Sequence, residues 1–104
     1  MKTLRMILRE YLVSLPDDSI AGIAANPCDC PLARALRFAG APYAEIEDSR
    51  LMIERRGNLN IRRAPAWVSE FIESVDTCED ENHYPRPRPV AVEEARVCLN
   101  ELRA

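Results

Sequence analysis

The stretch YAEIEDSRLMIERRGNLNIRRA, residues 43–64, decides the fold class because its apolar residues recur at every second position. The apolar pairs are Ala44 and Ile46, Leu51 and Ile53, and Leu59 and Ile61, with mostly charged residues between them. This period is typical of β-strands, and residues 48–50 and 57–58 are turn signals. We therefore predict two or three short antiparallel strands, with their apolar residues on one face and water on the other.

Helical periodicity precedes this stretch. From Leu4 to Leu15 the apolar residues recur at spacings of three and four, and Pro16 ends the pattern. A second helix is predicted over residues 31–39, since Pro31 suits a first helical position and Gly40 suits a left-handed stop. Between the two helices, the apolar run SIAGIAA predicts a short strand, in which Gly22 suits close cover on one side.

Two more helices are predicted after the strands. Pro65 begins one, whose inner stripe runs from Trp67 to Val75, and the last helix covers about residues 91–103. Residues 77–90 are acidic and then Pro-rich, which predicts a long extended loop. The sequence thus predicts a single α+β domain over residues 1–104, with about four helices packed on one face of a short antiparallel β-sheet. Leu8, Trp67 and Phe71 are expected to share one core.

Composition bounds the class of protein. The 104 residues are 47% apolar and 30% charged, an ordinary balance for a globular domain. Fourteen basic and 17 acidic residues leave a net charge of -3, which does not favour non-specific binding to nucleic acid. No apolar run is long enough to span a bilayer, and Arg5 and Arg9 interrupt the apolar N-terminus. We therefore expect a cytoplasmic protein with reduced thiols and no membrane partner.

The motif Cys28-Asp29-Cys30 has two interpretations. In the first, it is the start of the second helix, with Asp29 or Cys30 as the N-cap and Pro31 at the first position. In the second, it belongs to a zinc site whose ligands would be Cys28, Cys30, Cys78 and His83. The spacings C-x-C and C-x4-H are weaker than those of usual zinc sites, so we predict a helix start, no bound metal and no cofactor.

Redox chemistry is a further possibility for Cys30, because the N-terminus of a helix lowers the pKa of a thiol. The neighbouring carboxylate of Asp29 works against this effect. A disulfide between Cys28 and Cys30 would be strained, since residues two apart rarely meet disulfide geometry. A zinc or thiol-redox protein therefore ranks third among the functions considered.

Arginines surround the predicted turn at residues 57–58. The candidates for contact with nucleic acid are Arg34, Arg37, Arg55, Arg56, Arg62 and Arg63. A hairpin tip with four arginines, at residues 55–63, suits a phosphate backbone, and the second helix would extend the patch. Alternatively, the arginines are solvated and face glutamates across the strands. Nucleic-acid binding by this hairpin ranks second, and we predict that it is not tight.

Acidic residues follow the third helix into the loop. The candidates for contact with a protein are Glu70, Glu73, Asp76, Glu79, Asp80 and Glu81. A negative ridge of this kind docks on a basic surface, although in many small proteins it serves only solubility.

Signals for an enzyme are sparse. His83 is the only histidine, and no serine has the context of a nucleophile. We therefore expect a non-enzymatic protein-binding module, a small regulator or inhibitor of a larger protein. The sequence identifies neither that partner nor an oligomeric state.

Overall fold

Local caps and turns set the ends of the secondary-structure elements. The computed structural model describes residues 2–47, 49–77 and 87–102. The helices are α1 (Leu4–Ser14), α2 (Pro31–Phe38), α3 (Ala66–Thr77) and α4 (Val92–Asn100), and the strands are β1 (Ile20–Ala24), β2 (Tyr43–Glu47), β3 (Arg50–Arg55), β4 (Asn58–Arg63) and β5 (Arg88–Ala91). The predicted α+β class is confirmed. Among the described helices, none has the length and apolar character needed to cross a bilayer.

The helix start at Cys30 is confirmed by its capping geometry. Cys30 is the N-cap of α2, its Sγ accepts a hydrogen bond from the Ala33 amide at 3.5 Å, and Pro31 occupies the first turn. In α1 the same position is held by Thr3, whose Oγ1 accepts from the Met6 amide at 3.2 Å. Both helices therefore begin where a side chain satisfies a backbone N–H that the helix leaves unpaired.

The strands form two antiparallel sheets, whereas one sheet was expected. One sheet pairs β1 with β5, and the other has the order β2-β3-β4. Strand β5 begins within residues 77–90, so the prediction of a continuous loop there is wrong over residues 88–90. The fixed φ of Pro89 suits an extended strand, and Val90, opposite Gly22, is fully buried. Pairing with β1 and burial of Val90 thus stabilise as a strand a segment whose sequence predicts a loop.

The expected single wet face is wrong for β4. The turn between β3 and β4 is Arg56-Gly57, with φ angles of 53° and 80°, as in a two-residue hairpin loop. Such a loop pairs odd-numbered residues with even-numbered ones, so Leu59 and Ile61 face away from Leu51 and Ile53. They are 55% and 58% exposed, while Leu51 and Ile53 are buried.

One continuous core joins the elements. Leu8 and Phe71 are fully buried in it, and Trp67 is partly buried against it, with the Arg5 guanidinium 5.7 Å from its ring centroid. The expectation that these three residues share a core is confirmed. Helix α2 packs against both β1 and β2, and α3 and α4 pack against β1. Close cover of β1, expected at Gly22, is also confirmed: a Cβ there would lie 2.5 Å from the Pro31 nitrogen.

Candidate functional site

A cavity of about 570 Å³ opens between α3, the β1–α2 loop and the β2–β3 turn. Its walls combine apolar groups with carboxyl and hydroxyl groups. The lining residues are Ala25, Asn26, Pro27, Cys30, Ile46, Glu47, Ser49, Ser69, Ile72, Glu73 and Asp76. A concave, mainly apolar pocket with a few polar groups is the usual form of a binding site.

The β1–α2 loop forms one wall of the cavity and is held in an uncommon conformation. Ala25 has a φ of 58°, in the left-handed region that residues with a side chain rarely adopt. Its amide donates to Asp76 Oδ1 at 2.9 Å, which joins the loop to α3. Next along the chain, Asn26 Oδ1 accepts from the Cys28 amide at 3.1 Å. These side-chain oxygens thus accept hydrogen bonds from two backbone N–H groups of the loop.

Asp76 is a partly buried carboxyl group of the cavity. Its partial burial raises its pKa, and the hydrogen bond from the Ala25 amide and the positive charge of Arg88 only partly oppose this effect. A carboxylate that burial destabilises gains from any cation placed against it, because the cation replaces part of the lost hydration.

The chemistry of the cavity suits a cation on an apolar stem. Ile46, Ile72 and Pro27 provide apolar surface, while Glu47 and Asp76 bring negative charge to the same space. Lysine and arginine side chains have this form, with a methylene stem and a charged head. The cavity therefore combines the apolar surface and the negative charge that such a side chain needs.

The acidic ridge predicted from the sequence is divided by the structure. Asp76 and Glu73 line the cavity, whereas Glu70 is exposed on α3 and does not line it. Glu79, Asp80 and Glu81 lie outside the described residues. Sequence reasoning missed Glu47 and residues 25–27 of the β1–α2 loop. Only Asn26-Pro27 gave a local signal there, as a turn, and nothing in the sequence placed that turn beside α3.

The cysteines of the motif have different surroundings. Cys30 is 3% exposed, and burial raises its pKa to about 11, opposite to the lowering that a redox thiol needs. Cys28 is half-buried, with its Sγ 3.3 Å from Glu45 Oε1. The other proposed ligands, Cys78 and His83, lie outside the described residues. Within residues 2–47, 49–77 and 87–102, no three His, Cys, Asp or Glu side chains are grouped to hold a metal.

Asp29 organises two of the arginines assigned to nucleic acid. Arg34 binds its carboxylate through Nε and Nη2 at 2.9 and 2.8 Å, and Arg37 binds it through Nη2 at 2.7 Å. Hydrogen bonds from Arg34 and then Arg37 lower the pKa of Asp29. Arg37 also donates to the Cys28 carbonyl. Both guanidinium groups thus hold the start of α2, and their charge is partly neutralised there.

The other four arginines lie on the β3–β4 hairpin. Arg55 ends β3, Arg56 forms the turn, and Arg62 and Arg63 end β4; all four are exposed. The structure therefore places the predicted basic candidates in two groups, one bound to Asp29 and one on the hairpin.

No family model, no curated protein sequence and no solved structure matches this chain.

Proposed function

We propose that this protein is a non-enzymatic, cytoplasmic protein-binding module that takes one lysine or arginine side chain of a larger partner into the cavity beside Asp76. In this role it regulates or inhibits that partner. The observation that carries the proposal is the cavity of about 570 Å³ that combines apolar walls with the carboxyl groups of Glu47 and Asp76. The net charge of -3 also favours a basic partner.

The perturbed carboxyl group gives the proposal a pH dependence. Binding of a cation requires ionised Asp76, and the pKa of Asp76 lies above its ordinary value. Affinity should therefore rise as the pH increases through that pKa and then level off. A site made only of exposed carboxylates would reach its plateau at lower pH.

The test uses a matched pair of peptides. One is a short alanine-rich peptide with a single arginine, and the other has citrulline, which is neutral and nearly the same shape, at that position. We expect the arginine peptide to bind more tightly and to shift the amide signals of Ala25, Ser69 and Ile72 in NMR titrations. Equal binding of the two peptides, or shifts confined to other surfaces, would contradict the proposal.

Asp76→Asn separates charge from structure at this site. The asparagine oxygen can still accept from the Ala25 amide, so the loop should keep its conformation while the charge is lost. We expect arginine-peptide affinity to fall about tenfold, because the arginine loses a partly buried ionic partner. Glu101→Gln is the control, because it removes one exposed carboxylate outside the cavity. A similar loss in both variants would indicate a general effect of net charge.

Nucleic-acid binding is the second candidate function, favoured by the exposure of Arg55, Arg56, Arg62 and Arg63 on one hairpin. Such binding would weaken steeply with salt, because each phosphate contact releases counterions. A zinc or thiol-redox function through Cys28, Cys30, Cys78 and His83 ranks third. Its test is elemental analysis for zinc, with thermal unfolding measured with and without a chelator.

A further inference from the structure

The two edges of the three-stranded sheet differ in their cover. At the β2 edge, the Ile46 amide donates to the Pro27 carbonyl at 2.9 Å, so the β1–α2 loop covers that edge. At the other edge, all six residues of β4 are exposed, and β4 packs extensively only on β3 among the described elements. An uncovered edge strand presents a row of backbone donors and acceptors.

The hairpin geometry shows which backbone groups of β4 face outward. In a two-residue hairpin the residues that flank the turn, here Arg55 and Asn58, form a hydrogen-bonded pair. The Ala64 amide donates to the Ser49 carbonyl at 2.6 Å, which fits the same alternation at the far end. Asn58, Asn60 and Arg62 therefore bond to β3. The N–H and C=O groups of Leu59, Ile61 and Arg63 point to the free edge.

Apolar side chains lie beside this free edge. Leu59 and Ile61 stand on the outer face of the sheet, opposite Glu54 and Met52 of β3. Their side chains are 55% and 58% exposed. Glu54 of β3 pairs with Leu59 on one side and with Tyr43 of β2 on the other, so Tyr43, which is 37% exposed, lies on the same face. A strand added at the β4 edge would place every second side chain against Leu59 and Ile61.

Charge selects the strand that fits. Residues 55–63 include Arg55, Arg56, Arg62 and Arg63 and no acidic residue. A second copy of β4 would bring the arginines of two hairpins to one edge. This pairing is unfavourable, because cross-strand pairs of like charge are destabilising. An acidic strand would instead find arginines near each end of β4, and a guanidinium group can form a bidentate pair with a carboxylate.

We propose that the free edge of β4 binds an extended acidic segment of a partner protein by strand addition, with alternate apolar side chains packed on Leu59 and Ile61. Backbone hydrogen bonds at Leu59, Ile61 and Arg63 hold the segment, and the arginines of the hairpin select its charge. This surface is separate from the cavity beside Asp76, and either can be lost without the other.

The test begins with a capped peptide in which glutamate and valine alternate, compared with the same peptide carrying lysine for glutamate. We expect the acidic peptide to bind and to slow hydrogen exchange at the amides of Leu59, Ile61 and Arg63. The lysine peptide should not bind. Equal binding of both peptides, or protection only at other amides, would overturn the proposal.

Two substitutions at one position separate the backbone from the side chain. Ile61→Pro removes an outward N–H without removing a bond to β3, and edge strands tolerate proline at such positions. Ile61→Ala keeps that N–H. We expect acidic-peptide affinity about tenfold lower for Ile61→Pro than for Ile61→Ala. Equal affinities in two folded variants would exclude strand addition.

Charge reversal keeps the proposal testable if the proline variant does not fold. Arg62→Glu combined with Arg63→Glu should abolish binding of the acidic peptide and create binding of the lysine peptide. Arg9→Glu, on the exposed side of α1, is the control and should leave binding unchanged.

Two other occupants are outcomes of the same series. Oligonucleotides that bind the hairpin more tightly than the acidic peptide does, with a steep salt dependence lost in Arg55→Ala and Arg62→Ala, would replace the proposal with nucleic-acid binding. A dimer in light scattering that Ile61→Pro abolishes would identify a second copy as the occupant and overturn it.

Discussion

In the β1–β5 sheet, Ala21, Gly22, Ala24 and Val90 are buried, whereas every residue of β4 in the other sheet is exposed. Strands β1 and β4 are both short and antiparallel, and both contain aliphatic residues. The difference is cover: α2, α3 and α4 pack against β1, while β4 packs extensively only on β3 among the described elements. Aliphatic residues in a strand thus stabilise the fold in one region, and in the other they remain exposed.

The largest expected contrast is between Phe71→Ala and Ile61→Ala. Phe71 is fully buried, so its truncation should lower the free energy of unfolding by about 3–5 kcal/mol. Ile61 is mainly exposed, and its truncation should change stability by about 0.5 kcal/mol at most. Trp67→Ala should fall between them, since Trp67 is partly buried. Urea unfolding measures all three. A loss at Ile61 as large as that at Phe71 would mean that β4 is packed in solution.

A second contrast compares two glycines. At Gly22 the three atoms nearest to an added Cβ are backbone atoms of residues 29–31, at 2.5 to 2.9 Å, so the start of α2 would have to move. We expect Gly22→Ala to cost about 3 kcal/mol, at the upper end for overpacking.

Gly57→Ala is the matched change in the exposed hairpin. Nothing lies within 4 Å of a Cβ added at Gly57, so only the φ of 80° disfavours alanine there. That conformation should cost about 1 kcal/mol. Thermal unfolding of the two variants side by side gives the comparison, and equal costs would disprove close cover of β1.

The third contrast concerns pH and the start of α2. Because Arg34 and Arg37 lower the pKa of Asp29, its ionised form stabilises the fold above the unfolded pKa of about 3.9. That contribution is lost as the pH falls through the lower, folded pKa. Asp29→Asn should therefore cost about 1 kcal/mol at neutral pH and reduce the loss of stability on acidification.

Asp18→Asn is the control for this pH effect, as Asp18 is an exposed carboxylate in the α1–β1 connection. Unfolding free energies measured from neutral to acid pH should show a flatter profile for Asp29→Asn alone. Parallel profiles for the wild type and both variants would show that the Asp29 ion pairs do not stabilise α2.

The last contrast concerns the reactivity of two thiols, and the experiment changes no residue of the protein. At neutral pH a thiol reagent should label half-buried Cys28 and spare Cys30, which is buried and has a pKa raised to about 11. Cys30 should become reactive only on unfolding or at alkaline pH. Peptide mapping by mass spectrometry distinguishes the cysteines. Rapid labelling of Cys30 in the folded protein would revive the redox function.

Much of the fold could be predicted from local signals. Pro31 and Gly40 marked α2, and Pro65 marked the start of α3, because these residues restrict or extend backbone conformation without help from the rest of the chain. The parity of Leu59 and Ile61 was also present in the sequence. A two-residue turn at Arg56-Gly57 puts them on the other face of the sheet from Leu51 and Ile53, because it pairs odd-numbered residues with even-numbered ones.

The candidate sites depended on contacts between distant parts of the chain. Sequence reasoning named Glu73 and Asp76 as acidic, but it could not show that the Ala25 amide meets Asp76 or that Glu47 lines the same cavity. Likewise, the sequence predicts Arg34 and Arg37 as surface charges, and only the structure shows their ion pairs with Asp29.

The sequence by itself determined the helices, the hairpins and the α+β class, since capping, turn geometry and hydrophobic period act over a few residues. Tertiary structure decided that Arg88–Ala91 is a strand, that Gly22 touches the start of α2, and that no other described strand pairs with the outer edge of β4. The physical reason is that burial depends on which elements meet. A strand as short as β5 gains its stability from β1 and α4, on which it packs.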